Sequence, residues 1–296
     1  MRSSGREQIA LNKKETLMTL LLQKYPTITA NKWRIKVLPG SNGGSFYVEA
    51  TANIKLIARF AGKKERLLGI NRQKERKILR QLTQFVAAPQ VVGANNDWLL
   101  LEWLAGEVVT DTVSSLQELY QLLSPTLASL HSYPLSGYSL HLKQHLDSYW
   151  YQIDRRRLSP NWLSLHHFFQ HVCQPKTNKK VLAHLDIHSG NVLLADNGIL
   201  KLLDWEYAAD CDLAFALATL FASNNWDKKA QNRFLLHYCQ QQPAYKDFYK
   251  LNQQIVLWQP WVNYMRMMWY EIRWMQTKDP QYLALSQPIR TWLGLV

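Results

Sequence analysis

The stretch HLDIHSGNVLLADNGILKLLDWE, residues 184–206, decides the fold. It contains two short apolar runs separated by Asp-Asn-Gly, and the Asn-Gly pair supplies the positive φ angles that a tight hairpin turn needs. With the turn centred on Asn197 and Gly198, antiparallel pairing places Asn191 opposite Asp204, to within about one residue. An amide oxygen and a carboxylate are therefore predicted to lie side by side at the open end of the hairpin.

The chemistry of these two groups indicates a metal-assisted reaction. Both are hard oxygen ligands of the kind that Mg²⁺ takes together with substrate phosphates. Asp186 lies five residues before Asn191, on the loop that enters the hairpin. Two metal ligands and a nearby carboxylate that accepts a hydroxyl proton are what phosphoryl transfer requires, and protein kinases have the same residue order. Two other interpretations of HLDIH remain: a loop with an ordinary capping Asp, or a transition-metal cluster.

Several further motifs accompany the hairpin. They are LASLH at 127–131, LLLEWLAGE at 99–107 and Asp-Leu-Ala at 212–214. Together with HLDIHSGN and LLDWEY, they resemble the signatures of the aminoglycoside phosphotransferase and choline kinase superfamily over nearly the whole chain after about residue 35. The resemblance implies an α+β, protein-kinase-like fold with two lobes. The N-terminal lobe is expected to be rich in strands, and the C-terminal lobe to be mainly helical and to carry the catalytic hairpin.

The resemblance also assigns roles around the hairpin. Asp186 is implied to be the catalytic base, with Asn191 and Asp204 as Mg²⁺ ligands. His184 and Asp212 are expected to brace the catalytic loop rather than to react. A buried histidine that bonds a backbone carbonyl would serve that role. The remaining histidine of the loop, His188, either contacts phosphate or is structural.

The pattern along the chain predicts two domains, 1–103 and 104–296. A helix is predicted over 13–24 and another over 72–85, with three strands between them and two more just after the second helix. After a break at Ala-Gly-Glu, residues 105–107, the sequence pattern is typical of helices, and long helices are predicted over 112–132 and 140–172. The first domain is expected to bind nucleotide and the second to carry catalysis and the acceptor.

Composition excludes several classes of protein. The chain has 296 residues, 47% hydrophobic, and a formal charge of +13. Basic clusters such as RQKERK at 72–77 indicate either a solvated surface or attraction for a polyanion, and no nucleic-acid-binding motif accompanies them. Three widely spaced cysteines predict a reducing, cytoplasmic location. The apolar runs are too short and too charged for a transmembrane helix or a signal peptide, and a monomer is expected.

The nucleotide end of the site is predicted from LPGSNGGSF, residues 38–46. Glycines there let the backbone approach phosphate oxygens, and the loop resembles the family's ATP loop. Its predicted contacts are Gly40, Ser41, Gly43, Gly44 and Ser45. A family cation on the third strand is assigned to Arg59, with Lys55 as the competitor, and Glu75 resembles the glutamate that pairs with it. Backbone groups of Glu102 and Leu104 are expected to bind the base, without a choice between ATP and GTP.

The acceptor is predicted from the aromatic segment after residue 255. On a helix that starts at Trp261, the apolar and aromatic residues form two roughly opposite stripes. The first stripe holds Trp261, Met265, Met268, Trp269, Ile272 and Met275, and the second holds Asn263, Met267, Tyr270 and Trp274. Either the helix is simply buried on two sides, or the second stripe is an aromatic wall that stacks on a flat or cationic acceptor. The carboxylates of Glu206 and Asp210 would supply negative charge to such a site.

The segment also resembles that of the bacterial thiamine kinases, which implies thiamine as the acceptor, its monophosphate as the product and a role in thiamine salvage. Thiamine has a cationic thiazolium, a flat pyrimidine and a primary hydroxyl, which suit an aromatic wall with carboxylates. Choline or ethanolamine kinases and aminoglycoside kinases are the alternatives. A protein of another class, a non-catalytic binder of nucleotide or of a membrane surface, is a further alternative. Such a binder would not need Asp186, Asn191 and Asp204 together.

Overall fold

The computed structural model describes residues 3–38, 44–50, 54–62, 67–109, 116–241 and 245–295, with side chains from residue 13 onward except those of residues 116 and 117. Contacts divide the chain into two units. The first unit is Met1–Glu107 with Leu193–Glu206, and the second is Val108–Val192 with Tyr207–Val296. The sequence prediction places residues 193–206 in the second part of the chain, whereas the structure assigns them to the first.

The first unit is built on an antiparallel sheet of five strands, in the order β1-β2-β3-β5-β4. The strands are β1 (Arg34–Val37), β2 (Ser45–Glu49), β3 (Lys55–Phe60), β4 (Val91–Ala94) and β5 (Trp98–Glu102). Alternate residues of these strands, among them Val48, Leu56 and Leu100, pack with Leu17 and Leu21 of helix α1 (Ser3–Lys24) in one apolar core.

Helix α2 (Arg72–Gln81) follows β3 in the same unit. Asn71 caps its start, because the Asn71 side-chain oxygen accepts from the backbone N–H groups of Gln73 and Lys74 at 3.0 and 3.1 Å. Ile78 and Leu79 are its buried apolar residues. The helix ends four residues earlier than the sequence pattern predicts.

The hairpin of residues 193–206 is present where the Asn-Gly turn predicts it. Strands β8 (Val192–Leu194) and β9 (Leu200–Leu202) form a small sheet with β6 (Glu107–Val108). In the turn, the N–H of Gly198 donates to the Ala195 carbonyl at 2.8 Å, and Gly198 has a φ of 76°.

The hairpin is joined to the first unit by backbone and side-chain contacts. The Leu202 N–H donates to the Ala87 carbonyl at 2.8 Å, and Trp205 packs edge-on against Phe85. Gly106 lies where an added Cβ would come within 2.8 Å of the Ala195 Cα, so a side chain has no room there. These contacts explain why the hairpin belongs with the first unit.

The second unit is mainly helical. Its helices are α3 (Leu116–Leu130), α4 (Leu142–Trp150), α5 (Pro160–His171), α6 (Leu213–Ser223), α7 (Lys228–Gln240), α8 (Phe248–Thr277) and α9 (Gln281–Trp292). Strands β7 (Lys180–Ala183) and β10 (Ala209–Asp212) pair antiparallel beside them. The helix predicted over 140–172 is two helices, since Ser159 caps a new helix that starts with Pro160. Within the described residues, no helix is long and apolar enough to cross a membrane.

The three cysteines of the second unit differ in environment. Cys173 is exposed just after α5, Cys211 is buried in β10, and Cys239 is half-buried in α7. Burial raises the pKa of the Cys211 thiol, and burial also raises that of Cys239 to about 11. All three are free thiols.

Candidate active site

The loop between β7 and β8 holds the predicted catalytic base in a fixed backbone. His184 is 1% exposed, and its Nδ1 accepts from the backbone N–H of Asp186 at 3.3 Å. Leu185, between them, has a φ of 67°, a left-handed conformation that a leucine rarely adopts. The loop therefore contains a strained residue next to the residue predicted to react.

Asn191 lies against Asp186 in this loop. Its side-chain Nδ2 donates to the Asp186 carbonyl at 2.9 Å and to the Asp186 Oδ2 at 3.0 Å. These two bonds fix the orientation of the Asn191 amide. They use only its Nδ2, so among the described residues its Oδ1 is available as an acceptor. His188 caps the short helical turn 189–191, where its Nδ1 accepts from the Gly190 N–H at 3.2 Å. The structure thus gives His188 a structural contact.

Two residues at the ends of α6 brace the surrounding backbone. Asp212 caps the start of α6 by accepting from the N–H of Ala214 at 2.7 Å, and its other oxygen accepts from the N–H of Asn178 at 3.0 Å. Burial raises the pKa of Asp212. At the other end, Asn224 donates from its Nδ2 to the Ile187 carbonyl at 2.8 Å. Sequence analysis missed Asn224, and its only local signal is a position at the end of an apolar helix.

A buried ion cluster in the first unit, here called the Arg59 cluster, consists of Arg59, Arg72, Glu75, Asp204 and Glu206. Arg59 is 4% exposed and bonds Glu75 at 2.7 Å, Glu206 at 2.6 Å and Asp204. Burial alone would lower the pKa of the Arg59 guanidinium, but the three carboxylates raise it. Lys55, the competing candidate, is exposed. The structure therefore brings Arg59 and Glu75 together and joins Asp204 to them.

Arg72 is the member of the Arg59 cluster that sequence analysis did not find. Its Nη1 bonds Glu75 at 2.7 Å and Glu206 at 2.9 Å. Arg72 is part of the basic run RQKERK, which predicts a solvent-exposed helix face. In the structure, however, Arg72 is only 7% exposed. Glu206 is 1% exposed, and burial together with Asp204 raises its pKa to about 7 against the opposing effect of Arg59 and Arg72.

The predicted nucleotide loop is partly outside the described residues, which applies to Gly40, Ser41 and Gly43. Of the described positions, Ser45 pairs directly with Arg59 in the β2–β3 register, and the Gly44 carbonyl accepts from the Phe60 N–H at 2.8 Å. The end of the loop is thus adjacent to the Arg59 cluster.

The segment predicted to bind the base follows β5. The Glu102 N–H donates to the Gln90 carbonyl at 3.0 Å, and the Glu102 side chain accepts from the Gln90 N–H at 2.9 Å. Leu104 is half-buried beyond the end of the strand. The N–H of Glu102 is therefore already bonded within the sheet.

Comparison with known proteins identifies the family. The model of the phosphotransferase enzyme family matches residues 35–250 of the chain. The chain belongs to the phosphotransferase enzyme family. Its family resemblance is thus confirmed, and with it the inference that the chain is a phosphotransferase.

Individual relatives of this phosphotransferase agree with that assignment. A thiamine kinase of Escherichia coli O6:K15:H31 (strain 536 / UPEC) is 30% identical over 289 residues, which are 97% of this chain and 96% of the relative. The crystal structure of the choline kinase LicA from Streptococcus pneumoniae is similar with a TM-score of 0.72 at 18% identity, over 89% of this chain and 94% of that one. The LicA complex with AMP also has a TM-score of 0.72 at 18% identity, over 93% and 96%. The predicted protein-kinase-like fold is confirmed.

Two carboxylates predicted to face the acceptor of the phosphotransferase have other partners in the structure. Glu206 is bonded within the Arg59 cluster. Asp210 is 2% exposed, and its oxygens accept from the N–H groups of Ser136 and Gly137, both at 2.8 Å. Both carboxylates are therefore buried and have protein partners, and their role toward an acceptor stays a prediction.

The aromatic residues predicted for the acceptor lie half-buried on α8 of the phosphotransferase. The Arg157 guanidinium lies 4.6 Å from the Trp274 ring centre, and the Lys278 ammonium lies 4.5 Å from it. Tyr270 is in contact with Arg266, which lies 5.9 Å from its ring. Protein cations thus already face both rings.

Burial on α8 follows the predicted stripes only in part: Trp261, Met268 and Ile272 of the first stripe are buried. Met267, placed in the second stripe, is fully buried, whereas Trp269, placed in the first, is half-buried. The Trp269 ring N–H donates to the Tyr207 hydroxyl at 3.1 Å, a contact that sequence analysis missed because the two residues are 62 positions apart.

A second ion cluster supports α8. Glu271 is fully buried and bonds Arg157 at 2.6 Å and Arg290 at 3.1 Å. These three residues are here called the Glu271 cluster. Arg290 also lies 4.9 Å from the ring centre of the buried Trp162. The cluster joins α8 to α9 and to the turn that precedes α5.

Proposed function

We propose that the chain is a small-molecule kinase that transfers the γ-phosphoryl group of ATP to the hydroxyl of thiamine and forms thiamine monophosphate. The observation that carries the kinase proposal is the contact of Asn191 with Asp186, because it fixes a carboxylate beside an oxygen ligand on one short loop. The thiamine kinase relative, which is 30% identical over 97% of the chain, supports the choice of acceptor.

The chain's own residues suggest how the reaction proceeds. The Asp186 carboxylate accepts the proton of the acceptor hydroxyl, whose oxygen forms a bond to the γ-phosphorus. The bond between that phosphorus and the bridging oxygen breaks, and ADP leaves. The Asn191 contact holds Asp186 in place during the transfer.

The donor set fits magnesium. The Asn191 Oδ1 and the Asp204 carboxylate are the hard oxygens that Mg²⁺ prefers, and we propose them as its protein ligands. Bound Mg²⁺ would neutralise phosphate charge during the transfer. Because Arg59 is bonded to Asp204, its guanidinium lies next to one proposed ligand and is the proposed phosphate-side cation.

A coupled assay with ATP and Mg²⁺ tests the choice of acceptor. Thiamine, choline, ethanolamine and kanamycin are compared as acceptors at equal concentration, and we expect turnover with thiamine to exceed the others by at least about tenfold. Strong choline turnover with none for thiamine would contradict the acceptor while leaving the kinase proposal intact. Absence of turnover with any acceptor, with nucleotide still bound, would favour a non-catalytic binder.

Substitution of Asp186 by Ala tests the catalytic base. We expect turnover to fall by at least about a hundredfold, since general-base catalysis contributes about 10²–10⁴, while nucleotide affinity changes little. Asp196→Asn, which changes an exposed carboxylate in the hairpin turn, is the matched control and should retain activity. Retention of more than a few per cent of activity by the Asp186 variant would remove it as the base.

Trp274→Ala tests the acceptor wall. If Trp274 stacks on the acceptor, the KM for thiamine rises by about tenfold, as loss of one ring contact would give, and the KM for ATP is little changed. Trp292→Ala, on α9 with 53% of the residue exposed, is the matched control. Equal changes in both KM values would indicate that the half-buried ring is only part of the packing of α8.

A further inference from the structure

The first unit contains a cleft with a volume of about 480 Å³, and none of the predicted site residues lines it. It lies between the start of α2, residues 61–62 after β3, and the turn between β4 and β5. A cleft of this size is within the range that small-molecule ligands occupy, about 300–1,000 Å³. One of its lining residues, Arg72, belongs to the Arg59 cluster.

The charge that lines this cleft is positive. Arg72 and Arg76 both line it, and no Asp or Glu is among the lining residues that the structure describes. Arg72 is compensated, since it bonds Glu75 and Glu206. Arg76 has no ion-pair or hydrogen-bond partner in the described part of the chain, and its Nε atom is buried. A buried donor without a partner is unfavourable, and a ligand oxygen would supply that partner.

The cleft also offers neutral donors and an apolar wall. Gln73 and Arg76 are three residues apart and share one face of α2, and the exposed amide of Asn96 lies across from them on the strand turn. The buried Trp98 forms part of the lining. The positive end of the α2 dipole adds to the field of Arg76. A guanidinium with amides beside it matches the oxygens of a phosphate group.

We propose that this cleft binds a phosphate group, as free phosphate or as a small phosphate monoester, with Arg76 as its principal charged contact. Its lining includes none of the residues proposed to bind ATP, although Arg72 bonds Glu75, and the proposal does not depend on thiamine as the acceptor. A monoester would place its organic part against Trp98, whereas free phosphate would use only the arginine and the amides.

Calorimetric titration of the full-length protein tests this proposal. The probes are inorganic phosphate and glycerol 3-phosphate, and a saturating non-hydrolysable ATP analogue with Mg²⁺ blocks the proposed nucleotide site. We expect both wild-type protein and Arg80→Gln to bind at least one probe with equal affinity within twofold. Arg80 is the matched control because it is an exposed arginine of the same helix that does not line the cleft. Arg76→Gln should weaken binding by at least about tenfold, the effect of losing one charge-assisted contact.

The outcomes separate the possibilities. Tighter binding of glycerol 3-phosphate identifies a monoester site, and tighter binding of inorganic phosphate identifies a site for the free anion. Equal weakening by Arg76→Gln and Arg80→Gln would show a general effect of surface charge and would overturn the proposal, as would the absence of binding by the wild-type protein. If Arg76→Gln does not fold, Asn96→Asp replaces it, because a carboxylate at the rim should also weaken binding by about tenfold.

Discussion

The two units of the molecule each bury an ion cluster, and the two clusters have opposite charge balance. The Arg59 cluster has two arginines and three carboxylates, whereas the Glu271 cluster has two arginines and one carboxylate. In the first, the Asp204 side chain is 34% exposed, while in the second Glu271 is fully buried. A cluster with surplus carboxylates and an exposed edge can exchange partners with a ligand. In the second cluster, one buried carboxylate is shared by two arginines, so neither arginine has a replacement counter-charge within the cluster.

The largest expected effect comes from removing the single carboxylate of the second cluster. In Glu271→Gln, Arg157 and Arg290 both lose their counter-charge, so we expect the free energy of unfolding to fall by about 3–5 kcal/mol. Urea denaturation followed by circular dichroism measures this loss. The exposed Glu15→Gln on α1 is the control and should change the stability by less than about 0.5 kcal/mol. A loss below about 1 kcal/mol for Glu271→Gln would show that the cluster does not hold the unit together.

A smaller, pH-dependent effect is expected in the first cluster. Because burial raises the pKa of Glu206 to about 7 from an unfolded value near 4.5, the folded state binds this proton more tightly. The free energy of unfolding should therefore decrease as the pH rises from about 4.5 to 7, by about 2–3 kcal/mol. Denaturation of the wild type and of Glu206→Gln across this range measures the difference. Parallel pH profiles for the two proteins would contradict the raised pKa.

The smallest effect is expected for Glu75→Gln in the first cluster. Arg59 keeps Asp204 and Glu206 as partners, and Arg72 keeps Glu206, so no arginine is left without a carboxylate. We expect the free energy of unfolding to fall by only about 1–2 kcal/mol. The same urea titration gives the value. A loss as large as that of Glu271→Gln would mean that surplus carboxylates do not protect the cluster, and the contrast between the units would fail.

Local features of the fold are predictable from the sequence because neighbouring residues determine them. The Asn-Gly turn predicts the hairpin, and a polar residue before an apolar run predicts the helix that Asp212 caps. The strands of the first unit follow from β-branched and aromatic runs that are separated by turn residues. Within the catalytic loop, the contact of Asn191 with Asp186 spans only five residues, so it is also a local contact.

Long-range contacts could not be predicted in the same way. Arg59 bonds Glu206 across 147 positions, and no periodicity relates the two. The same applies to Arg157 and Glu271, which are 114 positions apart. Without such contacts, the sequence predicts Glu206 as a source of negative charge for the acceptor and places the hairpin in the second part of the chain, whereas the structure bonds Glu206 to Arg59 and assigns the hairpin to the first unit. Which charged residues are buried depends on tertiary packing, and tertiary packing cannot be predicted from the residues next to them in sequence.

The environments of the three cysteines have a practical consequence. A maleimide dye added near pH 7 should react at Cys173, because Cys211 is buried and few Cys239 thiols ionise when their pKa is about 11. The natural chain thus carries one accessible attachment point, just beyond α5, and a fluorescent reporter can be placed there without altering the gene.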